Sequence, residues 1–127
     1  MFIRSLLISC LFALASSTAL AGEIILDTKG NGNRQTQTFE TDGPWLLSWR
    51  VNSDFRNQTG FELNLLNADT GFFDSRILRI RQTGNGLKLF QNTGRFKFEI
   101  VTNFADWYLT VEQLTEEEAE RYLETRN

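Results

Sequence analysis

Apolar and polar residues alternate with a period of two along three separate segments of the chain, 45–51, 61–65 and 96–100. The apolar positions of these segments are Trp45, Leu47, Trp49, Val51, Phe61, Leu63, Leu65, Phe96, Phe98 and Ile100. A period of two puts all of them on one face of an extended chain, whereas an amphipathic helix has a period near 3.6. The pattern therefore predicts half-buried β-strands whose apolar faces meet in one core.

Five further segments, 24–28, 36–41, 75–82, 87–91 and 107–111, have weaker strand patterns. Glycine and asparagine in the clusters 83–86 and 92–94 supply residues that tolerate a positive φ in tight turns. These turns predict that residues 75–102 form a meander of three antiparallel strands. About eight strands in one small domain predict an all-β fold, either an antiparallel β-sandwich or a jelly roll.

The pattern changes near the C-terminus, where Thr115 stands three residues before Glu118. Such a pair forms a capping box, in which each side chain bonds the other residue's backbone amide at a helix start. A short acidic helix is therefore expected over about 116–125, with a narrow apolar stripe of Ala119, Tyr122 and Leu123. The predicted organisation is a sandwich over 22–114 and an acidic helical tail over 115–127.

The N-terminus has the features of a cleavable signal peptide over residues 1–21. One basic residue, Arg4, precedes an apolar run that is too short to span a bilayer, and small residues follow it. Ala19 and Ala21 fit signal peptidase recognition, which places cleavage after Ala21. A lipoprotein-type site ending at Cys10 is an alternative, but it leaves almost no apolar run before the cysteine. The mature protein is expected in the periplasm or the medium, with no membrane span.

The inventory of reactive side chains is short. The chain has no histidine, and its only cysteine, Cys10, leaves with the signal peptide. Histidine-based triads, Cys-His catalysis and zinc sites are thus disfavoured, and no cofactor, metal site or catalytic residue is predicted. The expectation is a protein that is not an enzyme. The alternative is a small carbohydrate-active hydrolase that uses loop carboxylates such as Asp54, Asp69 or Asp74 as acid and base.

Loss of Arg4 leaves 12 basic and 16 acidic residues, a net charge of −4. The segment 112–127 alone carries this charge, because it holds six glutamates and two arginines. The body over 22–111 is therefore neutral. Nucleic-acid binding is not expected, since it requires clustered, uncompensated Lys and Arg.

Two surface features are candidate sites. Arg79 and Arg81 project from the same face of the predicted 75–82 strand, either as an anion or glycan patch or as solvated residues paired with carboxylates of neighbouring strands. Asp69 and Asp74 flank a turn and offer oxygens to calcium, although their spacing matches no EF-hand loop. Ordinary turn hydrogen bonds are the alternative interpretation of these two residues.

The three tryptophans, Trp45, Trp49 and Trp107, serve as a sugar-stacking platform only if they are exposed. Trp45 and Trp49 share the face of Leu47 and Val51, which favours core packing.

The order of the glycine and aromatic anchors resembles that of small, mostly uncharacterised secreted or periplasmic bacterial β-sandwich proteins with a CUB-like layout. The anchors are Gly30-x-Gly32, Thr36-x-x-Phe39, Gly43-Pro44-Trp45-x-Leu47-x-Trp49, Gly94-x-Phe96-x-Phe98 and Asp106-Trp107-x-Leu109-x-Val111. They cover roughly residues 28–114. All are turn glycines or core aromatics, so the resemblance implies a fold and no activity. Many CUB domains carry a disulfide and a calcium-binding acidic cluster, and neither is carried over to this chain.

Together these features predict a non-catalytic periplasmic or secreted binding domain. Its partner is an unidentified envelope protein or a glycan. A glycan-binding module that uses loop carboxylates and exposed aromatic residues is the alternative to protein binding.

Overall fold

The computed structural model describes residues 22–55 and 58–126 of the 127-residue chain. The predicted signal peptide, with Cys10, Ala19 and Ala21, lies outside the described residues. In chain order, the described elements are β1 (Glu23–Asn31), β2 (Arg34–Gln35), β3 (Phe39–Thr41), β4 (Trp45–Asn52), β5 (Gly60–Asn67), β6 (Phe73–Ile80), β7 (Gly84–Phe90), β8 (Gly94–Asn103), β9 (Asp106–Gln113) and α1 (Glu116–Arg126).

The strands form two antiparallel sheets. Sheet A has the order β1-β9-β4-β7, and sheet B has the order β2-β8-β5-β6, with β3 pairing with β8 as well. The two sheets enclose one hydrophobic core, to which both contribute. The predicted all-β sandwich with a C-terminal helix is confirmed, and the described residues contain nine strands because β2 is a separate two-residue strand.

The core is built from the alternating segments. Every apolar side chain predicted to face inward over 45–51, 61–65 and 96–100 is buried, except Trp49, which is half-buried. The indole of Trp45 stacks on Phe90 of the neighbouring strand β7, with ring centroids 4.1 Å apart, and meets Phe39 of sheet B edge to face at 5.3 Å. Its Nε1 donates to the carbonyl of Asn92 at 2.9 Å, so its single polar group is satisfied.

The predicted three-stranded meander over 75–102 is wrong. Strand β6 pairs with β5 in sheet B, β7 pairs with β4 in sheet A, and β8 returns to sheet B. The predicted turn at 83–86 is also wrong, since Gly84 and Gly86 lie within β7. Gly86 is opposite Trp49, and a Cβ there would lie 2.8 Å from a ring carbon of Trp49. The absence of a side chain at these glycines leaves room for the indole ring of Trp49, and the glycines do not form a turn.

The C-terminal helix α1 begins with the predicted capping box. The backbone N of Thr115 donates to Glu118 Oε1 at 2.8 Å, and the backbone N of Glu118 donates to Thr115 Oγ1 at 3.1 Å. Ala119 is only 2% exposed, so the helix packs against the body of the domain.

Within the described parts of the chain, no helix has the length and apolar character needed to cross a membrane.

We expect Gly86→Ala to lower the free energy of unfolding by about 1–3 kcal/mol, because the added methyl overpacks the contact with Trp49. Gly84→Ala is the matched control. It lies in the same strand and faces the same ring, but its Cβ would sit at an ordinary 3.8 Å. Urea denaturation followed by tryptophan fluorescence measures both variants. Equal stability of the two would contradict the close contact between Trp49 and Gly86.

Candidate functional site

Three chain connections meet at one end of the sandwich, which we call the loop end: residues 32–33, 53–55 and 104–105. Strand pairing brings them together, because Asp106 lies opposite both Asn31 and Asn52. Strand β5 begins at this end with Gly60, which pairs with Asn103 at the end of β8. Loops positioned by a rigid sandwich are common binding sites.

Two exposed phenylalanines dominate the loop end. Phe55 is 52% exposed and Phe104 is 57% exposed, and their rings contact each other with centroids 5.0 Å apart and planes tilted by 47°. They line a surface depression of about 320 Å³, together with Ser53 and the exposed carboxylates of Asp54 and Asp106. An apolar surface is thus placed beside hydrogen-bond acceptors.

Phe104 has a strained backbone. Its φ of +55° lies in the left-handed region, and it is the only residue other than glycine with a positive φ among those described. Such a conformation is unfavourable for a bulky side chain and persists only where the surroundings enforce it. The buried neighbour Ala105 anchors the connection between β8 and β9. The strained residue therefore holds its aromatic ring in solvent at the rim of the depression.

One hydroxyl group ties the two phenylalanines together. Ser53 Oγ donates to the carbonyl of Phe104 and accepts a hydrogen bond from the backbone N of Phe55 at 3.0 Å. The two bonds run to different chain connections, so Ser53 fixes the position of one relative to the other. The aromatic pair is thus held by backbone contacts as well as by ring contact.

The floor of the loop end rests on Trp107, which is fully buried. Its Nε1 donates to the carbonyl of Gly32 at 3.0 Å, and the guanidinium of Arg34 lies 5.6 Å from its ring centroid. A Cβ at Gly30 would come within 2.7 Å of the ring, so glycine is needed there. The turn between β1 and β2 is therefore attached directly to a core residue.

The predicted patch of Arg79 and Arg81 lines a second depression, of about 370 Å³, on the outer side of sheet B. Arg79 Nε lies 3.8 Å from Glu62 Oε1 on the neighbouring strand, which agrees with the predicted cross-strand carboxylate. Arg81 follows directly after β6. The depression extends to Asn103, whose chain neighbour Phe104 lines the first depression. The two depressions are therefore adjacent.

The carboxylates proposed for a hydrolase are not gathered together. Asp54 lies at the loop end, whereas Asp69 follows the far end of β5 and Asp74 lies near the start of β6, beside that end. Strand β5 has eight residues and spans roughly 25 Å. Asp69 Oδ1 accepts a hydrogen bond from Arg95 Nη1 at 2.5 Å. The turn that contains Asp69 is closed by a hydrogen bond from the backbone N of Asp69 to Asn67 Oδ1. Among residues 22–55 and 58–126, no group of three or more acidic, histidine or cysteine side chains is arranged to hold a metal ion.

The tryptophans do not supply the exposed aromatic surface. Trp45 and Trp107 are fully buried, and Trp49 is half-buried on the inner face of sheet A.

Sequence reasoning did not identify Phe55 and Phe104 as surface residues. The available signal was that each is an isolated aromatic residue within a polar loop segment, where no alternating pattern requires it for the core.

Similarity to known proteins is found among solved structures. No family model matches the chain, and no curated protein matches it. Among solved structures, a carbohydrate-binding module of the lichenase 5A from Cellvibrio mixtus, in complex with cellotriose, is similar with a TM-score of 0.40 and 15% identity. The match covers 74% of this chain and 86% of the module. The resemblance to CUB-like proteins stays a prediction.

A glycosylation-associated protein complex from Streptococcus agalactiae is also similar, with a TM-score of 0.35 and 8% identity. The match covers 75% of this chain and 40% of that one. Likeness at this level carries no functional argument, so the site is interpreted from its own residues.

Comparing Phe104→Gly with Phe104→Ala isolates the backbone strain, since both variants lose the ring. We expect the glycine variant to be more stable than the alanine variant by about 1 kcal/mol, because only glycine adopts the left-handed region freely. The control is the same pair of substitutions at Phe72, which is exposed and has no positive φ. There the order should reverse, because glycine destabilises an ordinary position. Thermal unfolding measures all four variants, and the same order at both positions would contradict the strain.

Proposed function

We propose that this protein is a non-catalytic binding domain that works in the periplasm or the medium and holds a glycan at its loop end. The observation that carries the proposal is the exposed Phe55–Phe104 pair beside the carboxylates of Asp54 and Asp106. Binding sites typically combine an apolar surface with a few placed polar groups that set orientation.

A glycan fits this combination chemically. A sugar ring presents C–H groups on its faces and hydroxyl groups around its edge. The C–H face suits the exposed rings of Phe55 and Phe104, whose π faces are apolar and weakly negative. The edge hydroxyls suit Asp54 and Asp106, because hydrogen bonds from O–H to a carboxylate are short and strong. One sugar unit over the aromatic pair thus brings its hydroxyl groups towards the two carboxylates.

The site is organised before any ligand arrives. Ser53 ties the two phenylalanines to each other, and Trp107 ties the floor of the depression to the core. A rigid site loses little side-chain and loop entropy on binding, which favours affinity. The strained φ of Phe104 supports the same interpretation, because strain of this kind is concentrated at functional positions.

Phe55→Ala and Phe104→Ala should each weaken glycan binding at least tenfold, which corresponds to about 1.4 kcal/mol. The exported protein is first screened against immobilised bacterial and plant oligosaccharides, and calorimetry then gives the affinity for each oligosaccharide that binds. Phe72→Ala is the matched control, because Phe72 is 74% exposed at the opposite end of the sandwich and should leave binding unchanged.

Three results would contradict the proposal. The first is a screen in which no oligosaccharide binds. The second is a Phe72→Ala variant that loses as much affinity as the loop-end variants. The third is release of new reducing ends from a bound glycan by the wild-type protein, which would make it an enzyme.

A further inference from the structure

The depression that contains Arg79 and Arg81 adjoins the proposed glycan site. Asn103 lines this depression and Phe104 lines the neighbouring one, so consecutive residues connect them. The backbone N of Gln58, another lining residue, donates to the carbonyl of Phe55 at 3.0 Å. The second depression therefore continues the surface on which a chain of several sugar units, resting on Phe55 and Phe104, would lie.

The hydrogen-bonding capacity of these arginines is largely unused. Arg79 Nε is 3.8 Å from Glu62 Oε1, beyond hydrogen-bond distance, so the contact is a loose ion pair. Arg81 has no ion pair or hydrogen bond to any other described residue. Each guanidinium presents five N–H donors in a planar fork that matches a carboxylate or a similar oxyanion. Both groups are thus available to a ligand.

Glu62 forms a hydrogen bond with the buried amide of Asn64. Asn64 Nδ2 donates to Glu62 Oε2 at 3.0 Å and to Glu99 Oε1 at 3.1 Å, so both of its protons are used on carboxylates. Its Oδ1 is buried and has no partner among the described residues, which is unfavourable for stability. Asn64 is only 4% exposed, so this arrangement is fixed by packing. Glu62 thus makes its hydrogen bond to the amide through Oε2, while Oε1 keeps only the 3.8 Å contact with Arg79 Nε.

The charge balance of this depression favours an anion. Among the described residues, the charged ones that line it are Arg79, Arg81 and Glu62, which sum to +1 in a chain whose formal net charge is −3. Together with the open guanidinium groups, this excess points to a negatively charged substituent. A neutral glycan offers these guanidinium groups only hydroxyl and ring oxygens, whereas a carboxylate or sulfate offers a charged acceptor.

We propose that the glycan held at the loop end is acidic, and that Arg79 and Arg81 bind a carboxylate or sulfate group on a sugar unit next to the one that contacts Phe55 and Phe104. This inference rests on the proposed function. Arg79 and Arg81 set the specificity for charge, while the aromatic pair supplies binding that is independent of charge.

Two matched pairs of probes test the inference. One pair is a galacturonic acid tetramer with free carboxylates and the same tetramer as its methyl ester. The other is a sulfated galactan oligosaccharide and its desulfated form. We expect at least one acidic probe to bind tenfold or more tightly than its neutral partner, with a preference that falls as salt concentration rises. The carboxylate pair and the sulfate pair identify which anion is bound.

The double variant Arg79→Gln/Arg81→Gln should abolish this preference by weakening the binding of the acidic probe. Arg76→Gln is the matched control, because Arg76 is an exposed arginine of the same strand that does not line the depression. Equal affinity for acidic and neutral probes in both pairs would overturn this inference alone. Failure of all four probes, and of every oligosaccharide in the wider screen, would overturn the proposed function as well.

Discussion

Contact between aromatic side chains of the two sheets is the interaction on which the rest of the structure depends. The chain has one cysteine, and it lies outside the described domain, so no disulfide supports the sandwich. Trp45 instead joins the sheets by meeting Phe39, Phe96 and Phe98 of sheet B while it stacks on Phe90 of its own sheet. Large rings bury much apolar surface for little side-chain entropy, which suits a domain of this size.

The second fully buried tryptophan connects that core to the surface. Trp107 belongs to the core cluster, yet its single polar group bonds the turn at the base of the loop end. Ser53 then links the two connections that carry the exposed phenylalanines. The hydrogen bonds of Trp107 and Ser53 therefore fix the loop end to the sandwich.

The sequence predicted the elements better than their arrangement. Alternation over 45–51, 61–65 and 96–100 reports side-chain burial directly, so those strands and their inward faces follow from it. The capping box of α1 depends only on residues three positions apart, so it was also predicted correctly from the sequence. A glycine in the sequence can indicate either a turn or a close side-chain contact. Gly84 and Gly86 are of the second kind, because the ring of Trp49 on the paired strand β4 packs against them. Turn rules consider only residues that are adjacent in the sequence, and Trp49 is far from these glycines in the chain. The prediction of a turn at 83–86, and of the meander that depended on it, was wrong for that reason.

The candidate site was only partly readable from the sequence. Arg79 and Arg81 were found because their spacing places them on one face of a strand. Phe55 and Phe104 were not, since the exposure of a loop aromatic depends on the φ of Phe104 and on the hydrogen bonds of Ser53. Asn64 occupies a polar position of the alternating segment 61–65, between Leu63 and Leu65. Its bridging of Glu62 and Glu99 depends on the register of β5 against β8, which places Asn64 opposite Glu99.

The pairing of the first strand with the last has a consequence for how the chain acquires its structure. Glu23 of β1 lies opposite Gln113 of β9, so sheet A closes a loop of roughly 90 residues, and β9 is also the only neighbour that joins β1 to β4. Sheet A cannot assemble until the final strand has been synthesised. A topology of such high contact order folds slowly. Strand β1 therefore has no partner in its sheet until β9, the last strand, is available.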